Sequence, residues 1–212
     1  MDVPSRYFVG LDLGQANDYT ALAVLDRPRL LPGSPPASYA LRHLERFERG
    51  TSYPAIIGGV RSVLARPPLA GSAVYLAVDA TGVGRPVCDM IRPVFPTMAA
   101  ITITGGRDVT EDWSSFCVPK KDLVAVLQVL LQGRRLKIAK GLPEAENLAH
   151  ELSSFKVKVN VNSGKETFES WRERDHDDLV LAVALAAWLG EYSAVRETST
   201  DEMMSYTTYY TR

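Results

Sequence analysis

The sequence predicts an α/β fold in which helices cover both faces of a mixed β-sheet. Two apolar runs, Phe8–Asp12 and Val74–Asp79, read as buried strands because they are rich in residues that favour a pleated, buried surface. Residues 20–26 predict a strand that forms a hairpin with the first run, whereas a segment with helical apolar spacing precedes the second. Strands and helices that alternate in this order are typical of α/β domains.

The composition is that of an ordinary globular domain. The chain has 212 residues, of which 46% are hydrophobic and 23% charged, so its core needs neither disulfides nor metals to be stable. We expect one domain over residues 1–192 and a flexible tail over residues 193–212. The sequence shows no signal peptide, no apolar run of about 18 residues and no disulfide framework around Cys88 and Cys117. We therefore expect a cytoplasmic protein with no membrane partner.

Local patterns predict the remaining elements. Residues 39–47 fit a third strand, although their leucine spacing also permits a helix. Residues 107–118 read as a polar loop, with Trp113 and Phe116 packed on the core. Alternating residues followed by a turn predict a β-hairpin at Lys156–Phe168, before a last helix over residues 178–191. Other helices are predicted to begin at Tyr53, Arg85, Pro119 and Pro143, and short strands at residues 100–104 and 136–138.

An aspartate ends each buried strand, and two more begin the last helix. Buried charges are costly unless they are paired or bind a cation, and the carboxyl ends of parallel strands share one edge of a sheet. We therefore expect Asp12, Asp79, Asp177 and Asp178 to form one acidic cluster. Carboxylates are suitable ligands for Mg²⁺ and Mn²⁺, and two such ions about 4 Å apart assist phosphoryl transfer. Asp12 is the candidate bridge between two ions, with Asp79 and Asp178 each completing one side.

Each candidate also has a purely structural interpretation. Asp12 fits a turn at a strand end, and Asp79 fits an Asx-type turn. Asp177 or Asp178 fits a helix N-cap, where a carboxylate also interacts favourably with the helix dipole. His176 either orients a water or a phosphate, or is a solvated loop histidine.

The overall charge of the chain does not indicate a binding partner, but one segment of it is strongly basic. A net charge of −1 gives no overall attraction to nucleic acid, but residues 118–140 are basic. This basic stripe, which includes Lys120, fits either a phosphate-binding surface or a solvated helix face.

Three motifs in this order resemble the nuclease domain of phage large terminase subunits. Shorter pieces between them are also similar, and the resemblance extends from about Tyr7 to Gly190. The three motifs are Gly10-Leu11-Asp12-Leu13-Gly14 with Asp18-Tyr19-Thr20-Ala21, Val78-Asp79-Ala80-Thr81-Gly82-Val83-Gly84, and His176-Asp177-Asp178-Leu179-Val180. The shorter pieces are Thr104-Gly105-Gly106, Val118-Pro119-Lys120 and Glu151-Leu152.

The resemblance implies an RNase H-like, RuvC-type fold and a two-metal endonuclease. Such an enzyme would cut double-stranded DNA with little sequence preference during genome packaging, using Mg²⁺ or Mn²⁺. The implied partners are a terminase ATPase domain, a small terminase subunit and a portal, in the cytoplasm of an infected or prophage-carrying bacterium. The implied catalytic metal ligands are Asp12, Asp79 and Asp178, assisted by Asp177, and the implied DNA contacts are the hairpin lysines Lys156, Lys158 and Lys165, which also fit a surface hairpin kept soluble by its lysines. Lys120 is a further candidate for a DNA contact that orients a phosphate, and it also fits a helix-start lysine in solvent.

The chain departs from that family in one respect, the ATPase domain that drives packaging. Large terminases carry an N-terminal ATPase, whereas Gly164-Lys165 lacks the earlier glycine of a P-loop because position 159 is Val. Both a separately encoded nuclease and an excised domain fit this sequence.

Three other functions fit parts of the sequence. A Holliday-junction resolvase or transposase-like nuclease of the same fold would differ in dimerisation and in its preference for branched DNA. An ATP-binding protein of the actin and sugar-kinase class would share Asp12-Leu13-Gly14 followed by Thr20, but it needs two such lobes. A non-catalytic DNA-binding module has no need for the acidic cluster, because carboxylates repel phosphate unless a metal is bound.

Overall fold

In the part of the chain that the structure describes, eight strands form one mixed sheet with helices on both faces, as the sequence predicts. The computed structural model describes residues 5–14, 18–31, 33–82, 84–154 and 177–209, so the hairpin predicted at Lys156–Phe168 lies outside the described residues. The strands are β1 (Ser5–Asp12), β2 (Ala21–Pro28), β3 (Tyr39–Arg46), β4 (Ala73–Asp79), β5 (Ala99–Thr104), β6 (Thr110–Asp112), β7 (Ser115–Pro119) and β8 (Leu136–Ile138). The helices are α1 (Tyr53–Leu64), α2 (Gly84–Ile91), α3 (Lys120–Gln132), α4 (Ala145–Ser154) and α5 (Asp178–Tyr209).

The sheet has the order β6-β7-β5-β4-β1-β2-β3-β8. β1, β4, β5 and β7 are parallel to one another, β2 is antiparallel to both of its neighbours, and β3 and β8 are parallel. The carboxyl ends of β1, β3, β4, β5 and β7 therefore lie along one edge, which we call the carboxyl edge. The opposite edge, where β2 ends, is called the far edge.

Side-chain alternation along the strands divides the core into two layers. Val9 and Leu11 of β1 pack with α1 and α2 on one face, whereas Phe8 packs with α3, α4 and α5 on the other. The same alternation places Gly10 and Asp12 on the face that α5 covers. β1 thus presents an aspartate to α5 at the carboxyl edge.

Gly10 lets α5 approach the central strand closely. A Cβ atom at this position would lie 1.9 Å from the carbonyl oxygen of Ala182. Alanines such as Ala182 and Ala186 are fully buried at this contact. The close approach fixes the start of α5 beside the end of β1.

α5 is longer than predicted, since it continues to Tyr209 instead of ending near Glu191. Polar contacts to the sheet hold its continuation: Glu197 pairs with Arg27, and Arg196 pairs with Glu111. The segment Asp178–Glu197 is long and apolar enough to cross a membrane, but 67% of it is buried inside the protein, as in the core helix of a globular domain.

The segment predicted as a polar loop at residues 107–118 contains the β6–β7 hairpin. Phe116 is buried as expected, but Trp113 in the hairpin turn is 95% exposed, so the prediction that it packs on the core is wrong. Trp113 has φ 56°, because the two-residue turn requires a left-handed backbone there. The turn directs this side chain away from both core layers.

The basic stripe predicted at residues 118–140 is not continuous in the structure. Lys120 begins α3 at the carboxyl edge, whereas Arg134 and Arg135 follow the end of that helix. Arg135 forms an ion pair with Glu191 and donates a hydrogen bond to the carbonyl oxygen of Ala37. Lys120 and Arg135 therefore belong to different parts of the molecule.

Candidate metal centre

Two aspartates lie side by side where β1 and β4 end. The parallel register pairs Leu11 with Val78, so the next residues, Asp12 and Asp79, are neighbours on adjacent strands. Strand alternation directs both side chains to the face that α5 covers, and both residues are buried. The burial of two adjacent carboxylates is unfavourable unless something offsets their charge.

The start of α5 brings two more carboxylates to the same place. Asp177 precedes the first helical residue, and its carbonyl oxygen accepts a hydrogen bond from the Leu181 N–H at 2.9 Å. Asp178, the first residue of α5, is buried, and its Oδ2 atom accepts no hydrogen bond from any described residue.

The electrostatics show that these carboxyl groups are close enough to interact. Burial, followed by the negative charges of Asp79, Asp178 and Asp177, raises the pKa of Asp12 well above its usual range. Burial also raises the pKa of Asp178 to about 6, despite the opposing effect of Arg46. Like charges that share a buried site favour the protonated forms. The structure therefore brings Asp12, Asp79, Asp177 and Asp178 together as the acidic cluster, and their role as metal ligands stays a prediction.

Asp79 has a structural role as well as its place in the cluster. Its Oδ1 atom accepts a hydrogen bond from the Thr81 N–H at 2.8 Å, which is the predicted Asx-type turn. The Thr81 hydroxyl in turn accepts a hydrogen bond from the Ile103 N–H at 2.9 Å. The turn fixes the orientation of the Asp79 carboxyl, so the structural and functional interpretations of this residue are compatible.

Lys120 lies beside the acidic cluster. Its Nζ atom is 3.5 Å from Oδ2 of Asp177, and its side chain is largely buried. Burial raises the pKa of Asp177, and the Lys120 ammonium partly counteracts that effect. The interpretation of Lys120 as a helix-start lysine in solvent is therefore wrong.

Glu151 belongs to this region, and sequence reasoning did not assign it a role. It is buried on α4, it forms an ion pair with Arg46, and its Oε2 atom accepts a hydrogen bond from the Val180 N–H at 3.1 Å. Burial raises its pKa to about 7, although the Val180 N–H and Arg46 oppose this shift. Glu151 thus acts as a distant cap for α5 and links α4 to the helix that carries Asp178.

The residues fit a site for hard divalent cations. The cluster supplies only carboxylate oxygens, as Mg²⁺ and Mn²⁺ require, and the buried Asp178 Oδ2 has a free acceptor position. Asp79 is the first of the charged neighbours that raise the pKa of Asp12, after the effect of burial. Within the described ranges, no group of three or more His, Cys, Asp or Glu side chains is arranged around a common point as metal ligands, so the fit rests on the chemistry of the carboxylates and not on a preformed geometry.

Comparison with known proteins identifies the family. A model of the terminase RNaseH-like domain family matches residues 9–188, which include every residue of the acidic cluster. The chain belongs to this family. The RNase H-like fold expected from the sequence is thereby confirmed, as is the relationship to terminase nucleases.

Solved structures of a viral terminase nuclease domain have a similar fold. The human cytomegalovirus terminase nuclease domain is 19% identical in sequence, with a TM-score of 0.53 over 87% of this chain and 82% of that one. A Mn-soaked, inhibitor-bound structure of the same viral domain is 16% identical, with a TM-score of 0.52 and the same coverage. No curated protein sequence matches the chain.

Some predicted site residues of this family member lie outside the described residues. They are His176 and three lysines of the predicted hairpin, Lys156, Lys158 and Lys165. The predictions of a DNA-facing hairpin and of a histidine next to the metal ligands remain predictions.

Proposed function

We propose that this chain is a metal-dependent endonuclease that cleaves double-stranded DNA during genome packaging. Membership of the terminase RNaseH-like family supports a nuclease role in packaging. The observation that carries the proposal for this chain is the acidic cluster, in which Asp12, Asp79 and Asp178 are buried together at the carboxyl edge. Ligands usually bind at that edge of an open α/β sheet.

Asp12, Asp79 and Asp178, assisted by Asp177, are the proposed ligands of two Mg²⁺ or Mn²⁺ ions. A related structure was soaked with Mn, which supports the choice of ion. The bound ions would supply an activated water and stabilise the leaving 3′ oxygen. The β1–β4 register holds the two strand aspartates side by side, while Glu151 fixes the start of α5 and with it the position of Asp178.

Lys120 is the proposed residue that orients the scissile phosphate. Its ammonium group is held at the rim of the acidic cluster by Asp177, at the start of α3. A single positive charge at this place can bind a phosphate oxygen without requiring a particular base. We therefore expect cleavage with little sequence preference. Lys156, Lys158 and Lys165 are proposed as additional backbone contacts, and a terminase ATPase, a small subunit and a portal as partners.

Plasmid cleavage by the Asp12→Asn variant tests the proposal. Because a metal ligand contributes several kcal/mol to transition-state stabilisation, we expect cleavage in Mn²⁺ or Mg²⁺ to fall by about 10³-fold or more. Asp26→Asn is the matched control, since Asp26 is a buried strand aspartate that pairs with Arg42, away from the cluster. EDTA should abolish cleavage by the parent and the control alike. Undiminished cleavage by folded Asp12→Asn would contradict the proposed site.

Cleavage also separates the proposed function from its alternatives. A resolvase-like enzyme would cut four-way junctions much faster than linear duplex, in contrast to the enzyme proposed here. A non-catalytic module would bind DNA but cut neither substrate in any metal.

A further inference from the structure

Two arginines contact the ring of Tyr19 next to the acidic cluster. The guanidinium carbon of Arg46 lies 5.1 Å from the ring centroid, and that of Arg49 lies 4.4 Å from it. These are cation–π distances, at which an aromatic ring restricts the orientation of a guanidinium group. The arginines, however, differ in their other partners.

Arg46 pairs with buried carboxylates at the acidic cluster. It forms an ion pair with Glu151, and its Nη2 atom lies 3.9 Å from Oδ2 of Asp178. Arg49 is exposed, and among the described residues it forms no ion pair with a carboxylate. The exposed guanidinium is therefore oriented by Tyr19 while its hydrogen-bond donors remain available.

The backbone around Arg49 is also fixed. The Thr51 N–H donates a hydrogen bond to the carbonyl oxygen of Glu48 at 3.1 Å, and Gly50 has φ 80°. This is the pattern of a type II turn, with Arg49 at its first central position. The Phe47 N–H donates to the carbonyl oxygen of Thr20 at 2.9 Å, which ties this turn to the segment that carries Tyr19.

We infer that Arg49 binds a phosphate of the DNA backbone and that Tyr19 positions it for this contact. A guanidinium group is suited to phosphate because its planar donors contact two oxygens at once. A cation at this place also offsets the repulsion that Asp18 and Glu48, on the same rim, exert on DNA. The inference rests on the proposed function, because it assigns a contact to the same DNA substrate.

The test measures binding of a fluorescein-labelled DNA duplex by anisotropy, over a series of KCl concentrations with Mg²⁺ present. The parent protein is the Asp12→Asn variant, so that cleavage does not interfere. Because a phosphate contact releases condensed counterions, Arg49→Gln should lower the slope of log K against log salt by about 0.9. It should weaken binding by about tenfold at low salt, equally for different sequences.

Arg66→Gln is the matched control. Arg66 is also exposed but follows the end of α1 at the far edge, so the same loss of charge should leave the slope unchanged. Arg49→Lys keeps a charge but loses the planar donors, so it should retain the slope and lose part of the affinity. If Arg49→Gln behaves like Arg66→Gln, the inference is wrong.

Variants of Tyr19 separate positioning from direct binding. Tyr19→Phe keeps the ring and should bind DNA like the parent, whereas Tyr19→Leu should weaken binding only while Arg49 is present. An equal effect of Tyr19→Leu in the Arg49→Gln background would contradict the positioning role. If the Asp12→Asn parent does not bind DNA at all, the proposed function itself is wrong. If that parent binds DNA and Arg49 contributes nothing to the binding, only this inference is wrong.

Discussion

Two buried charge clusters lie at opposite edges of the sheet, and they differ in how far their charges are balanced. At the far edge, Arg27 is fully buried, pairs with Glu197 at 2.5 Å and donates a hydrogen bond to the carbonyl oxygen of Gly190 at 2.9 Å. Arg6 contacts the same carboxylate, and the Phe8 ring lies under the Arg27 guanidinium. The negative charge of Glu197 is thus offset by two cations.

At the carboxyl edge, buried negative charge is only partly offset. Four aspartates meet there, and among the described residues Arg46 and Lys120 are the cations that pair with them. The consequence is visible in the raised pKa values of Asp12, Asp177 and Asp178. The charge of the far-edge cluster is thus compensated within the fold, whereas that of the acidic cluster is not, and under the proposed function bound metal ions would offset it.

The largest effect is expected from Arg27→Met. Removal of Arg27 leaves the Gly190 carbonyl without its donor and Glu197 with Arg6 alone, which should cost about 3 kcal/mol in the free energy of unfolding, the lower end of the range for a broken buried pair. Urea denaturation measures this change. Arg42→Met is the control, because Arg42 is 58% exposed where it pairs with Asp26 and should contribute less than about 1 kcal/mol. Equal losses in the two variants would remove the distinction between the buried and exposed pairs.

The pH dependence of stability should reveal the acidic cluster. The pKa of Asp178 is raised from 3.8 to about 6 in the folded protein. The folded protein therefore binds more protons than the unfolded chain between these values, and stability falls as the pH rises through that window. In EDTA we expect the free energy of unfolding to be roughly 1–3 kcal/mol lower at pH 7.5 than at pH 5.

Two controls test the origin of this pH dependence. Asp178→Asn should make the profile flatter, because the amide does not titrate. Mn²⁺ should stabilise the protein more at pH 7.5 than at pH 5, because it competes with protons for the carboxylates. If the free energy of unfolding rises with pH over this range, the conclusion that the charge of the acidic cluster is uncompensated is wrong.

The sequence predicts that the two strand aspartates are neighbours, because the signal for each is local. Asp12 and Asp79 each follow an apolar run, and parallel pairing of the two runs is enough to make them neighbours. Asp178 is predicted because it begins the last helix. The fold class could be predicted for the same reason, since most strands and helices here have a clear apolar pattern.

The contacts that the sequence did not reveal are long-range or polar. Glu151 contacts the N–H of Val180, which is 29 residues away, and no local pattern indicates this hydrogen bond. The extension of α5 depends on polar pairs such as Arg196 with Glu111, where no apolar periodicity exists. β6 consists of Thr110–Asp112 and becomes a strand because it pairs with β7. Such elements are determined by their partners in the fold, and these appear only once the chain is assembled.

The smallest effect is expected from Glu151→Gln, which tests a carboxylate of this edge to which we assign a structural role. The amide oxygen can still accept the Val180 N–H, but Arg46 loses its counter-charge, so we expect a loss of about 1 kcal/mol in the free energy of unfolding. Asp178 is then the carboxylate that remains beside Arg46. Because the proposed metal ligands are unchanged, cleavage should fall far less than in Asp12→Asn. Urea denaturation and plasmid cleavage measure the two effects. Glu151→Ala is the comparison, because it also removes the acceptor for α5 and should cost more stability than Glu151→Gln. If folded Glu151→Gln loses cleavage as completely as Asp12→Asn does, Glu151 is a metal ligand and its assignment as a structural carboxylate is wrong.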